Sequence, residues 1–567
     1  MPSAPSPAKK SARKVTGLRY WMTRVLEECN HVSAGFNADP VHDLRVALRR
    51  CRSMADGLMA MDPDPEWKAM KKAGKRLFQR LGDLRDIQVM AEWIEKLHPA
   101  EPSVAGVSVA RAPLQQAQGR LSPAFLDSPE ISAAAENPGS KETLQDPTPR
   151  DPAAQALLQI LAARESEQKR EAQAALEEFD QKQWRQWSQS LPARAARIRP
   201  GNPLFQHLAL ERWTAAHELH TRALRNRSQV ALHTLRIGIK RFRYIVENFL
   251  PEQHQAWKND LKEMQDMLGE VHDLDVLWAT ALSCHVFPDD QSRQRWHARI
   301  LEARTQRVDR YRKKMTGPQA LWNVWRAALP QGRQIQTLAT RRMKLWAKAL
   351  DPDFPHSERV ATLALELYDG LTSAGLLAST NGANPRSSLY LAALLHDVGK
   401  SKKKKGHHKA SLELIKAHGA PLGWRPEEMQ RAAVIARFHC GALPTRSHKA
   451  LRDLLPPEQK TTIQLAAILR LANAFDAEHN GRIRRIQIEN AHAAVNRARR
   501  TNGFLRKPAA AMARNDALII AAEGYTPGSP TAQSIAAERH LLETLLHRPI
   551  VVKPMKNPAP MRQQVSF

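Results

Sequence analysis

Cysteine is scarce in this chain of 567 residues: Cys29, Cys51, Cys284 and Cys440 lie far apart and form no CxxC pair. That excludes a small disulfide scaffold and leads us to expect reduced, packed thiols in a cytoplasmic compartment. There is no run of about 18 apolar residues, so no transmembrane helix is expected. Aromatics are 6%, and β-branched runs are rare before residue 480, whereas stretches of Ala, Leu, Arg, Glu and Gln favour helices. The opening MPSAPSPAKKSARKV has no apolar core behind its charges, so residues 1–14 read as a disordered basic arm rather than a signal peptide. Acids are few: 57 Asp+Glu face 86 Lys+Arg, a net charge of +29. Hydrophobic residues, at 42%, suffice for packed cores. The cationic excess points to a polyanionic partner, which could be nucleic acid, an anionic membrane surface or polyphosphate; charge does not choose among them.

From about 98 to 152 the chain is rich in Pro, Ser, Ala and Gly without a sustained period, which predicts a disordered insertion. A polar helix is expected from Ala153 to Leu191, closed by the break at Arg199-Pro200-Gly201-Asn202-Pro203. The insertion is read as separating two similar halves. VHDLRVALRRCRS (Val41 to Ser53) resembles LHTLRIGIKRFRY (Leu232 to Tyr244), and LGDLRDIQV (Leu81 to Val89) resembles LGEVHDLDV (Leu268 to Val276). Two matches in the same order at similar spacing indicate an internal duplication. A composition shift at Asp351-Pro352-Asp353-Phe354-Pro355 opens another helical stretch to about 480. RIRRIQIEN and ALIIAAE then read as strands, SPTAQSIAAERHLLETLL as a helix and RPIVVKP as a last strand. The expected fold class is mainly α: a two-repeat bundle over 15–348, a helical domain over 350–480, a small α+β unit over 481–556 and a frayed tail over 557–567.

On a helix, His42, Arg45, Arg49 and Arg52 fall within about 80° of arc, as do His233, Arg236, Lys240 and Arg243. Val46, Leu48, Leu235 and Ile239 fill the opposite side. Lys68, Lys71, Lys72 and Lys75 add a stripe on the following helix. If the repeats pack face to face, the stripes line a groove that suits a flexible anion charged on every unit. Arginine forks hold phosphate oxygens in two-point contacts, and lysines act as point charges. The competing reading is a solvated face, or arginines paired with Asp43, Asp86, Asp273 and Asp275.

The paired basic segments and the LG…D…V segments resemble the two repeats of the CHAD domain (conserved histidine α-helical domain). The resemblance implies an all-helical, pseudo-symmetric fold whose basic channel binds inorganic polyphosphate. By motif, the binding positions it implies are His42, Arg45, Arg49, Arg50, Arg52, His233, Arg236, Lys240, Arg241 and Arg243, with Lys68, Lys72 and Lys75 secondary.

Farther along, His356 starts one helix, and LYLAALLHDVGKSKKKKGHHKAS carries His396-Asp397, Lys400, His407 and His408. His439, Asn473 and Asp476 follow. Histidines and a late acid from separate helices can converge on a divalent ion such as Mn, Mg, Fe or Zn. LLHDVGK, HHKAS and LAAILRLANAFD resemble the HD phosphohydrolase superfamily and, more closely, the C-terminal domains of the exopolyphosphatase/guanosine pentaphosphatase family, without that family's actin-like domain. By motif the metal ligands would be His356, His396 and Asp397. Asn473 stands where a fourth, acidic ligand belongs, and Asp476 is its candidate substitute. Lys400, His408 and His439 are secondary candidates, and Ser401 to Gly406 form a cationic loop beside them. The leading expectation is a cytoplasmic polyphosphate-binding protein, targeted to polyphosphate granules, with an HD-like accessory domain. The alternatives are a metal-dependent phosphohydrolase acting on polyphosphate or phosphorylated nucleotides, and a nonspecific nucleic-acid binder.

Overall fold

The computed structural model describes residues 17–97, 151–226, 228–377, 384–489 and 517–555. The expected basic arm, nearly all of the insertion and the frayed tail lie outside the described residues. The chain is mainly helical, with one small sheet.

The first half comprises α1 (Leu18–Ser33), α2 (Ala38–Leu58), α3 (Pro65–Ala73), α4 (Lys75–Leu97), α5 (Pro152–Glu177) and α6 (Gln181–Ala195). The second comprises α7 (Pro203–Asn226), α8 (Gln229–Phe249), α9 (Pro251–Ser283), α10 (Asp290–Met315) and α11 (Leu321–Ala327). Helix starts follow local chemistry. Asp64 accepts from the Glu66 amide ahead of Pro65, Asp151 from Ala153 ahead of Pro152, and Ser228 from Ala231.

The duplication is visible in the packing. α1 packs on α2 as α7 does on α8, α4 on α5 as α9 on α10, and α1 on α6 as α7 on α11. The two halves meet through α2 against α8 and α4 against α9. This corrects one expectation: the 98–152 stretch interrupts the first repeat, between α4 and α5, instead of separating the halves. The expected single polar helix is two helices. α5 buries Ala153, Ala154, Leu157 and Leu161 against α4, and Asp180 caps α6 after the break at 178–180.

The apolar side of α2 is Val41, Leu44, Leu48, Cys51, Met54 and Leu58, and that of α8 includes Leu235, Ile239, Phe242 and Val246. Val46, expected on that side, is only half-buried. Each fully buried Leu or Phe contributes about 1.5–3 kcal/mol, and these rows fix which helix faces remain for the cations. Gly57 is required where α2 meets the end of α8, since a β-carbon there would lie 2.4 Å from Phe249 Cε2.

α12 (Arg333–Leu350) joins the two units: Leu338 enters the first core, while Ala339, Met343 and Trp346 enter the second. A buried polar clamp ties them further. Arg342 Nη1 lies 2.7 Å from Glu211 Oε2 and 2.8 Å from His207 Nδ1, and His207 Nε2 lies 2.8 Å from the Leu422 carbonyl.

The second unit contains α13 (Phe354–Ser373), α14 (Pro385–Leu395), a 3-10 turn (Val398–Ser401), α15 (His407–His418), α16 (Pro426–Arg437), α17 (Lys449–Arg452) and α18 (Pro456–Phe475). β1 (Arg485–Glu489) pairs antiparallel with β2 (Leu518–Glu523), which pairs parallel with β3 (Ile550–Pro554). The expected C-terminal helix is broken into Pro530–Glu538 and His540–Leu546. α18 is buried almost all round over its second half, Leu465 to Phe475, which makes it the axle of this unit. No helix among the described residues is long and apolar enough to cross a membrane.

Candidate functional site

Because α2 and α8 bury their apolar rows, their cationic rows face one another across the repeat boundary. Arg45, Arg49, Arg236 and Lys240 collect there. Among the described residues no carboxylate lies within ion-pair distance of any of the four, whereas Arg304 on α10 is paired with Asp275 at 2.9 Å. Two of the acids that could have neutralised the groove are thus spent elsewhere: Asp275 on Arg304, and Asp43 on Arg24 at 3.7 Å. Asp86 and Asp273 do face the cluster.

The electrostatics follow from this crowding. Burial first, then Arg236, Arg49 and Arg45, pull the Lys240 ammonium down to about 7. Burial raises the Asp273 carboxyl to about 6 against the pull of Arg236. Arg49 lies 5.8 Å over the Tyr244 ring, and Arg49 Nε, Arg236 Nε and the Tyr244 hydroxyl are buried without a hydrogen-bond partner. Orphan donors among unpaired cations are costly unless an anion meets them.

The helices that carry the LG…D segments, α4 and α9, flank the cluster. Gly82 on α4 faces Arg45, and its counterpart Gly269 on α9 faces Arg236; an added β-carbon would touch the guanidinium at 3.6 Å and 3.9 Å respectively. Partial burial first, then Arg49 and Arg85, lower the pKa of His42. His233 Nδ1 stands 3.2 Å from His272 Nδ1. Burial, then Arg236, pushes His272 down to about 4. Sequence reasoning left His272, Arg85 and Tyr244 out of the site. The first two hold matching places in the duplicated LG…D segments, and that correspondence was the available signal.

Other expected binding residues have partners of their own or stand exposed. Arg50 binds Glu247 and Asn248 of α8 and lies 5.2 Å over the Trp21 ring, so it ties the repeats together and is not presented to a ligand. Arg243 pairs with the same Glu247 at 3.7 Å. Arg52 donates to the Lys71 carbonyl at 2.8 Å and lies over Phe78. Arg241 is exposed, and no contact ties it to the groove. Lys68, Lys72 and Lys75 are exposed on or beside α3, outside the cluster.

In the second unit the ends of α13, α14, α15, α16 and α18 converge. His356 and His396 form with Asp397 a buried trio whose ligand atoms lie within 4.8 Å of one another. His396 Nε2 is buried without a hydrogen-bond partner, 3.2 Å from Asp397 Oδ2, and a cation would satisfy both. Asn473 Oδ1 sits 3.0 Å from His356 Nε2, at the place of the expected acid. Asp476 is corrected: it stands behind His356, with Oδ2 2.7 Å from Nδ1 and 2.8 Å from Arg359 Nε, and with Oδ1 accepting from the Gly481 amide. It therefore orients His356 and does not face the cavity. The His356 Nδ1–H and Arg359 donors hold its carboxyl below the usual range despite burial.

His408 is also corrected. Its Nδ1 lies 3.4 Å from Cys440 Sγ, while His407, one residue earlier, reaches Asp397 Oδ1 at 3.1 Å. His439 is buried, with Nε2 3.7 Å from Asp397 Oδ1, and Lys400 Nζ lies 2.6 Å from Asp397 Oδ2. Burial opposes charge on Asp397, but His396, His407 and His439 hold its carboxyl far below the ordinary range. His407 and Cys440 were not among the expected ligands; HHKAS and FHC were the signals.

A pseudo-symmetric helical bundle with a cationic cluster at its repeat boundary, joined to a helical unit with a buried histidine–aspartate cluster, defines the class. The CHAD domain model matches residues 22–282, and the model of Ppx/GppA phosphatase, domain III, matches residues 340–515. The chain carries these two domains in tandem, and both fit a function related to polyphosphate. No curated protein matches the chain.

Proposed function

We propose that the protein binds inorganic polyphosphate in the groove between the CHAD repeats. The observation that carries this reading is the gathering of Arg45, Arg49, Arg236 and Lys240 with no carboxylate in ion-pair reach among the described residues. A chain of linked phosphates brings one charge per unit along the groove. Arg49 and Arg236 supply guanidinium forks, Lys240 a point charge, and Tyr244 a hydroxyl donor. Binding of this kind would suit association with cytoplasmic polyphosphate granules. The test is the combined variant Arg45→Ala, Arg49→Ala, Arg236→Ala, Lys240→Ala, with its helical circular dichroism checked against wild type. Loss of binding at equal salt supports the groove; undiminished affinity overturns it.

A second reading, a metal-dependent phosphohydrolase, is favoured by the orphan His396 Nε2 beside Asp397 Oδ2. His356, His396 and Asp397 would hold a divalent ion, which supplies Lewis-acid polarisation of a phosphoanhydride when bound. Asp476 fixes the His356 ring, and the Lys400 ammonium offers a cation to a phosphate oxygen. Phosphate release from polyphosphate with added Mn2+ or Mg2+ supports this reading, and inertness in the presence of both contradicts it.

A further inference from the structure

We propose that the cleft where the two units meet is a binding site for a nucleoside polyphosphate, whose phosphates are held by Arg197 of the first unit and by Arg341 and Lys348 of α12. The site is separate from the groove between the repeats and from the histidine–aspartate cluster, and it rests on neither reading above.

The cleft follows from how α12 is used. Arg342, Met343, Trp346 and Ala347 turn one side of the helix into the protein. Arg341, Lys344, Leu345 and Lys348, at steps of three, four and seven, are left on the opposite side. That side, together with Phe354 at the start of α13, lines a cavity of about 730 Å³. The rest of the lining comes from the first unit: Leu58 and Met61 at the end of α2, Arg197 and Ile198 after α6, and Asn202 and Leu204 at the start of α7. Its size and its place between two units are those of a small-molecule site.

The lining is apolar and cationic at once. Leu58, Met61, Leu204 and Phe354 are buried, and Ile198 and Leu345 are half-buried. Five cations and two acids share the cleft with them. Both acids are already taken. Asp62 accepts from Arg194 Nε at 3.0 Å and from Nη2 at 2.7 Å, and Glu358 pairs with Lys344. Arg197, Arg341 and Lys348 remain, exposed and with no ion-pair partner among the described residues. The cavity of about 630 Å³ between α9 and α10 shows the contrast: Lys262, Arg307 and Arg310 there are matched by Glu263, Asp266 and Glu270, with Arg307–Glu270 at 2.7 Å and Arg310–Glu263 at 3.0 Å. It calls for no anion.

Three free cations call for more than one phosphate, and the apolar lining calls for a hydrophobic body joined to them. Inorganic polyphosphate has no such body, and a fatty acid carries a single charge. Asn202 favours a base over a hydrocarbon chain. Its Oδ1 accepts from the Leu204 amide at 2.9 Å, which leaves its Nδ2 hydrogens for a ring nitrogen or carbonyl oxygen. Because the lining is drawn from both units, a bound nucleotide bridges them.

The test is isothermal titration of the full chain with ATP and GTP, without added metal, against tripolyphosphate, AMP and dodecyl phosphate. One nucleoside triphosphate per chain should bind at least about tenfold tighter than tripolyphosphate, since burying on the order of 60 Å² of apolar base surface is worth that factor. AMP should bind more weakly than ATP, and ATP should raise the melting temperature of the chain. Arg341→Glu combined with Lys348→Glu should lower ATP affinity by about tenfold or more and leave polyphosphate affinity within about twofold of wild type. The variant Arg45→Ala, Arg49→Ala, Arg236→Ala, Lys240→Ala should do the reverse. Circular dichroism checks folding, and Arg197→Glu repeats the test from the first unit's side if the double variant is unfolded. Absence of ATP binding overturns the proposal, as does tripolyphosphate or dodecyl phosphate binding as tightly as ATP. ATP binding that is lost in the four-residue variant and kept in the double one puts the nucleotide in the groove between the repeats; the present proposal then falls and the polyphosphate reading stands.

Discussion

Arg49 of the first repeat lies 5.8 Å above the ring of Tyr244 in the second. The contact crosses the pseudo-twofold boundary, so one cation of the proposed site is held in place by the other repeat. A charge-assisted contact with a phosphate is worth about 1.5–3 kcal/mol. Arg49→Ala should therefore weaken polyphosphate binding about tenfold to a hundredfold and reduce the slope of log affinity against log salt by about one unit. Arg49→Lys should restore part of the affinity, since it keeps the charge and loses the fork. Isothermal titration at several salt concentrations checks both values.

Lys240 sets the pH dependence. In the free groove it faces Arg45, Arg49, Arg236 and Asp273, and its ammonium is pulled down to about 7. It is neutral above that pH, so polyanion binding must take up a proton there. Affinity should fall by up to about tenfold per unit as pH rises from about 7 to 9. Protonation of Asp273 below about 6 acts in the same sense by removing a negative charge from the groove. Lys240→Met should flatten the profile above pH 7. It should also stabilise the free protein: a base with a depressed folded pKa loses stability as pH falls from its unfolded value through its folded one. A gain of ~2 kcal/mol at neutral pH, about 4 °C in Tm, is expected by scanning calorimetry.

Arg50 is expected to behave in the opposite way. It binds Glu247, which is 8% exposed, across the α2–α8 contact. Arg50→Ala leaves that carboxylate with Arg243 at 3.7 Å as its remaining guanidinium and should cost about 1–3 kcal/mol in urea unfolding. The folded protein should bind polyphosphate within about twofold of wild type, because the side chain is not presented to the ligand.

Asn473 and Asp476 separate the two roles that a late acid can play. Asn473→Asp adds a charged oxygen where Oδ1 already faces His356 Nε2 at 3.0 Å, and it should tighten divalent-metal binding at the trio of His356, His396 and Asp397. Asp476→Asn removes the charge behind His356 Nδ1 and should weaken binding there about tenfold to a hundredfold. Competition with a chromophoric chelator measures both. Equal effects of the two changes would contradict the assignment.

Helical class, duplication and the three-stranded tail were legible because each rests on periodicity. The same holds for Arg45, Arg49, Arg236 and Lys240, whose spacing repeats in both halves. What failed depended on partners distant in sequence. Arg50 shares the basic motif, yet Glu247 and Trp21 claim it, and neither is near it in sequence. α5 looked like a free polar helix because its apolar row is short and dominated by alanine, so its packing on α4 left little trace. The choice of His407 over His408 depends on where α15 begins, and Gly406 at φ 77° sets that start. Asp476 appeared to lie one turn beyond Asn473, but α18 ends at Phe475, and a residue at the C-cap leaves the helical face.

The central claim is tested most directly by titrating the full chain with long-chain polyphosphate across a range of salt, with duplex DNA of matched charge as competitor. The account predicts tight binding that weakens steeply with salt, is lost when Arg45, Arg49, Arg236 and Lys240 are replaced by Ala, and resists displacement by DNA, whose stiff double helix cannot follow the groove. Equal displacement by DNA, or binding unchanged in the four-residue variant, would contradict it.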